Sequence, residues 1–137
     1  MFGINRKTNP NSDSGKWGER QAKRFLTKRG YKCLGERVRV PPHDEIDLIM
    51  KDDRVLVFVE VKTRRSEDMG SPADAVDHQK QKHLSRASVR YLSSKSTGPI
   101  DFRFDIVEII GEPGDRSPII RHHEDAFPLS DGYYPPF

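Results

Sequence analysis

The period of the apolar positions changes several times along the chain, and each change marks an element. Gly18, Ala22, Phe25 and Leu26 recur three and four residues apart, which predicts a helix over 14–29 with one apolar stripe, closed by Gly30. A strand is expected over 31–40, ended by Pro41-Pro42. Two stronger strands follow at 45–50 and 55–62, joined by a short turn at Asp52-Asp53. Ser71 as cap, Pro72 at the first helical position and Asp74 at capping-box spacing predict a second helix from 71 to about 93. Residues 102–110 read as the last strand. The expected order is helix-strand-strand-strand-helix-strand, an α/β domain over 14–110. Residues 1–13 read as a flexible N-terminal arm, and 111–137, rich in Pro and Gly, as an irregular C-terminal tail.

The strand at 55–62 is apolar on both faces until Glu60 and Lys62, so it belongs in the middle of a sheet. Side chains alternate, so Glu60 and Lys62 share the face of Leu56 and Phe58, with the Val61 carbonyl near the same edge. In the preceding strand Glu45, Asp47 and Ile49 share one face, and Ile46, Leu48 and Met50 the other. With a two- or four-residue loop around Asp52-Asp53, Met50 is expected to pair with Val55. Glu45 then faces Glu60, and Asp47 is its diagonal neighbour at about 7–8 Å. A three-residue loop would turn Asp47 to the opposite face.

Facing carboxylates repel and lose hydration unless something positive lies between them. A divalent ion held by Asp47, Glu60 and the Val61 carbonyl answers both problems, and oxygen ligands suit Mg²⁺ or Mn²⁺. Lys62 would then hold and activate water or steady charge on a phosphate. Taken alone, Glu60 and Lys62 also read as a solvated ion pair at a strand end. Glu19 has two readings: an i,i+4 pair with Lys23, or a carboxylate looking along the sheet. Lys80 falls inside the apolar stripe of Ala73, Val76, Leu84, Ala87 and Tyr91, so it either snorkels to water or reaches the acids or a bound phosphate. Arg64 and Arg65 follow the proposed active edge and are placed to meet a phosphate backbone. The basic run from Lys23 to Lys32 reads as a solvated helix face, and His122-His123-Glu124-Asp125 as solvated tail.

Composition narrows the setting. A chain of 137 residues, 34% hydrophobic and 33% charged, suits one domain with a lean core. Its mean hydropathy is −0.79. No apolar run approaches the ~20 residues of a membrane helix, and the start lacks a signal-peptide stretch, so neither membrane insertion nor secretion by that route is expected. Lys and Arg number 24 against 21 Asp and Glu, a balance too even to name nucleic acid as a partner. The single cysteine, Cys33, excludes an internal disulfide and zinc sites built on paired cysteines, and fits a reducing, cytoplasmic location. No phosphate-binding P-loop, dinucleotide glycine loop or serine elbow is present.

The run Asp44-Glu45-Ile46-Asp47-Leu48-Ile49, followed by Phe58-Val59-Glu60-Val61-Lys62-Thr63-Arg64, resembles the YraN-like family of uncharacterised bacterial proteins. That family is regarded as part of the PD-(D/E)xK nuclease superfamily and is similar to archaeal Holliday junction resolvases. Gly18-Glu19, Ala22, Leu26, Gly30-Tyr31, Lys80, Ala87, Tyr91-Leu92 and the closing Arg103-Phe104-Asp105-Ile106-Val107 agree, so the resemblance covers about 14–110. It implies a restriction-endonuclease-like core, a mixed central sheet flanked by helices. It also implies a metal-dependent nuclease that hydrolyses phosphodiester bonds in DNA, and the resolvase likeness extends this to branched DNA and a homodimer. In that reading Asp47, Glu60 and the Val61 carbonyl bind Mg²⁺ or Mn²⁺, Lys62 positions water, and Glu19 assists. Arg64, Arg65 and Lys80 would touch the nucleic acid, with DNA favoured over RNA. The family usually carries glycine where this chain has Asp44, which adds negative charge near the site. Two rivals remain: a nucleic-acid-binding module on the same fold without catalysis, and an adaptor using the tail that ends Pro135-Pro136-Phe137.

Overall fold

The computed structural model describes residues 10–66, 77–95 and 98–137. Helix α1 spans Pro10–Lys28 and is followed by strands β1 (Lys32–Val40), β2 (Asp44–Asp52) and β3 (Val55–Arg64). Helix α2 (His78–Lys95), β4 (Phe102–Ile110) and β5 (Ile119–Phe127) complete the order. The strands form one five-stranded sheet in the order β1-β2-β3-β4-β5. All neighbours are antiparallel except β3 and β4, which run parallel. A parallel pair needs a long crossover, and α2 lies in it. The architecture is the expected mixed α/β core, consistent with a restriction-endonuclease-like fold, with one further strand.

The apolar period explains which face each element buries. On α1, Trp17, Ala22 and Leu26 are buried against Leu48, Met50, Val57, Val59 and Val107. On α2, Leu84, Ala87 and Leu92 pack on the other face against Ile49, Phe58, Phe104 and Ile106. β3 is therefore covered on both sides, as its continuous apolar run requires. Gly18 brings α1 close to that strand: a Cβ there would collide with the Thr63 hydroxyl and lie 3.2 Å from Thr63 Cβ. The helix ends through Gly30 at φ 95°, where Gly30 N–H meets Thr27 O at 3.0 Å and Tyr31 N–H meets Leu26 O at 3.0 Å.

Three expectations are corrected. α1 starts at Pro10, so residues 10–13 of the expected arm are helical; Asp13 in the first turn complements the positive helix end. The supposed irregular tail contains β5, which pairs Ile119 with Ile110 and Phe127 with Phe104. Its polar run Arg121–Asp125 hides the strand period, because β4 carries buried Asp105 and Glu108 that demand polar partners. Asp105 receives His122 Nε2 at 2.7 Å and the Asp125 N–H at 2.9 Å, while Glu108 faces Arg121 at 3.6 Å. Third, the β2–β3 loop is the pair Asp53-Arg54, with Asp53 at φ 55°, and Met50 pairs with Val57 instead of Val55. The expected start of the second helix at Ser71 and its residues Ala73 and Val76 lie outside the described residues.

Candidate active site

The observed β2–β3 register differs from the expected one by two residues, an even number, so the paired residues Leu48–Asp52 keep their faces, whereas Ile46, expected with Leu48 and Met50, packs with Ile49 and Phe58. One step beyond the Leu48–Val59 pair, Asp47 stands across from Glu60 rather than diagonal to it. Asp47 is partly buried and its Oδ2 accepts the Val61 N–H at 2.9 Å. Glu60 is only 5% exposed, and Lys80 Nζ reaches its Oε2 at 3.4 Å. Burial, then the Asp47 charge, push the Glu60 carboxyl up to about 8, against the pull of Lys80. Burial also raises Asp47, with the Val61 amide and Lys80 opposing it. Two acids thus share one buried position and one lysine. Of the two readings for Lys80, the structure has it reaching the acids, with its side chain half exposed.

Glu19 does not pair with Lys23, which binds Glu36 at 2.8 Å because β1 runs alongside α1. Instead Arg37 clamps Glu19, Nε donating to Oε1 at 2.6 Å and Nη2 to Oε2 at 3.3 Å. Arg37 has φ 45°, a left-handed conformation inside a strand that is unfavourable for an arginine. Burial raises the Glu19 carboxyl, Arg37 opposes, and the negative charges of Asp47 and Glu45 raise it further. Glu19 therefore feels the charge of Asp47, one of the two acids. Lys62 lies on the Glu60 face, half-buried, and forms no ion pair among the described residues.

Arg64 is elsewhere. Its side chain is buried, and Nε meets the buried Glu108 Oε2 at 3.1 Å, away from the phosphate backbone that the sequence reading set beside it. Arg65 is exposed, 3.6 Å from Glu112. Asp44 turns toward α2, where Arg86 holds it with two bonds of 2.7 and 2.8 Å and Arg90 lies at 3.9 Å. The Arg86 hydrogen bond keeps the Asp44 carboxyl below its usual range, so its added charge is neutralised locally. Reading the sequence missed Arg37, Arg86 and Arg90. The available signal was the 18-residue α2, which carries Lys and Arg but no Asp or Glu.

A cleft of about 220 Å³ opens over Asp47, lined also by His43, Asp44, Glu45, Lys80, His83 and Leu84. Asp47 and Glu60 bring two carboxylates together, and carboxylate oxygens are donors that suit a hard divalent cation. Among the described residues, no group of three or more His, Cys, Asp or Glu side chains is arranged to hold a metal ion. No described helix is long and apolar enough to cross a membrane.

Fold and site define an α/β domain with a mixed sheet between two helices and a buried acid pair at adjacent strand positions. More particularly, the chain belongs to the Uncharacterised protein family UPF0102, whose profile matches residues 18–109. A UPF0102 protein of Chloroherpeton thalassium is 40% identical over 125 residues, covering 91% of this chain and 96% of that one. A UPF0102 protein of Symbiobacterium thermophilum is 47% identical over 100 residues, covering 73% and 82%. One from Syntrophomonas wolfei is 42% identical over 117 residues, covering 85% and 99%.

Proposed function

We propose that this protein is a divalent-metal-dependent nuclease that hydrolyses phosphodiester bonds in DNA. The observation that carries this reading is the juxtaposition of Asp47, partly buried, and Glu60, 5% exposed, on adjacent strands. Asp47, Glu60 and the Val61 carbonyl would hold Mg²⁺ or Mn²⁺, the carbonyl and water completing what two carboxylates begin. Such an ion supplies positive charge to phosphate oxygens and acidifies bound water. The chain's own residues do the rest. The Val61 N–H fixes the Asp47 carboxylate, and Lys62 on the same face holds water or a phosphate oxygen. Lys80, half exposed, can turn from Glu60 to a phosphate oxygen, as Arg65 can beyond the strand end. Glu19, held by Arg37, would assist the ion or the water. The resolvase resemblance supports branched DNA as substrate and a homodimer, and the single reduced-state cysteine supports the cytoplasm.

One observation favours a second reading, a nucleic-acid-binding module without catalysis: Lys80 already stands against Glu60 as a counter-charge. Calorimetric titration of Mn²⁺ into wild type and Asp47→Asn, followed by incubation with plasmid and a four-way DNA junction, separates the two. The first reading expects metal binding and cutting by wild type, both lost in Asp47→Asn, which still accepts the Val61 N–H and folds normally. Cutting retained by the variant sinks the assignment. Strand binding without metal uptake by either protein establishes the second reading.

A further inference from the structure

We propose that the cleft over Asp47 is one end of a groove that leads a single strand of nucleic acid along α2 by its phosphates. The proposal rests on the nucleic-acid part of the reading above and adds the form of the substrate and the residues that hold it. Three clefts of about 220, 290 and 370 Å³ follow the β1–β2 connection, the first and last of them walled by α2 as well. The first two share Asp44, and the last two share Arg39, so their walls are continuous. Clefts of this size admit a few nucleotides of one strand, whereas a duplex would meet only the rim.

Positive charge gathers at the far end of the groove: the last cleft holds Arg39 and Arg90 and no acid, while the first holds Asp44, Glu45 and Asp47 beside Lys80. The whole sequence carries a net +3, yet α2 alone holds five Lys and Arg and no acid. Lys80, His83 and Arg90 lie on one side of it, separated by three and seven residues, positions that recur on one helix face. From Lys80 to Arg90 the helix rises ~15 Å, a length that spans a few nucleotides of one strand. Exposed Arg39 faces Arg90 across the last cleft. Asp44 organises the wall. Its carboxylate, 6% exposed, binds Arg86 through both oxygens and lies 3.9 Å from Arg90, leaving the Arg90 side chain 45% exposed. One buried acid thereby orients two arginines at the groove edge, and an excess of positive charge remains. An acidic peptide would also meet cations here, but the groove runs into the acid pair, which the reading above assigns to phosphodiesters.

The test uses the full chain and fluorescein-labelled dT12, with anisotropy read in EDTA across a salt series so that no strand is cut. Arg39→Ala/Arg90→Ala removes two groove charges, and Arg24→Ala/Lys28→Ala removes the same charge from α1 on the other side of the sheet. The groove variant should bind about tenfold more weakly and lose about 1.4 from its log–log salt slope, two phosphates at ~0.7 each. The α1 variant should stay within about twofold of wild type. Equal losses in both variants, or an unchanged slope in the groove variant, overturn the proposal. So does displacement of dT12 by an oligoglutamate peptide at matched concentration, which would make the groove a peptide site. Plasmid incubation with Mn²⁺ separates this from the catalytic reading. Wild type that binds dT12 through the groove but never cuts sinks the nuclease and keeps the groove, and cutting with the binding pattern overturned does the reverse.

Discussion

Glu60→Gln tests the electrostatics of the acid pair without reference to any substrate. The folded carboxyl titrates near 8 and the unfolded one near 4.5, so between these values the folded chain keeps a proton that the unfolded chain has lost. Stability from this group is therefore complete below pH 4.5 and declines as pH rises to about 8, after which it levels off. Glu60 is 5% exposed, so solvent screens little of the effect. At 1.36 kcal/mol per pH unit, the change from pH 6 to pH 9 is about 2–3 kcal/mol for one such group. Glutamine has nearly the same shape and no proton to lose, so the variant should be the more stable protein at pH 9 and show little of this decline. Urea unfolding in EDTA at both pH values, with m unchanged, measures it. Parallel pH dependences for wild type and Glu60→Gln would refute the claim that a buried, undercompensated charge sits there. Added Mn²⁺ should flatten the wild-type decline and leave the variant unaffected, since only the former offers the ion a second carboxylate.

Gly18→Ala should destabilise by about 1–3 kcal/mol through the clash with Thr63, and Thr63→Ala in the same chain should recover part of it; additive losses in a double-mutant cycle would show that the two do not touch. Asp105 is fully buried; burial would raise its carboxyl, but bonds from His122 and Arg103 outweigh that and hold it below the usual range. Its contribution is thus present above the unfolded value near 4 and lost as pH falls below it, and Asp105→Asn should cost about 3 kcal/mol at pH 7 by urea unfolding, with a loss under 1 kcal/mol refuting the role. Ending the chain after Gly111 removes β5 and uncovers Phe104, Asp105 and Glu108, so the fragment should fail to unfold cooperatively; a soluble fragment with a sharp far-UV transition would show that 14–110 is self-sufficient.

Where a segment's apolar period was set by one buried face, the element could be read directly. The α1 stripe and the doubly covered β3 are such cases, and Phe102–Ile110 was read to the residue. β5 was illegible because its buried side chain at His122 is polar and Arg121 reaches Glu108 from an exposed position, and neither reads as a sheet residue until Asp105 and Glu108 are known to face them. The same limit applied at the site. Alternation along two strands was enough to put Asp47, Glu60 and Lys62 on one face, and that survived a two-residue error in register because side-chain direction has period two. It was not enough to say that Arg37 would take Glu19, that Glu108 would take Arg64, or that Asp44 would be held by Arg86.

By itself, then, the sequence determined the elements that bury an apolar face, and the common face of the acids, which follow from local periodicity; β5 does not. Only the tertiary structure decided which charge meets which. An ion pair depends on distances between groups far apart in the chain, and nothing periodic in the sequence encodes them.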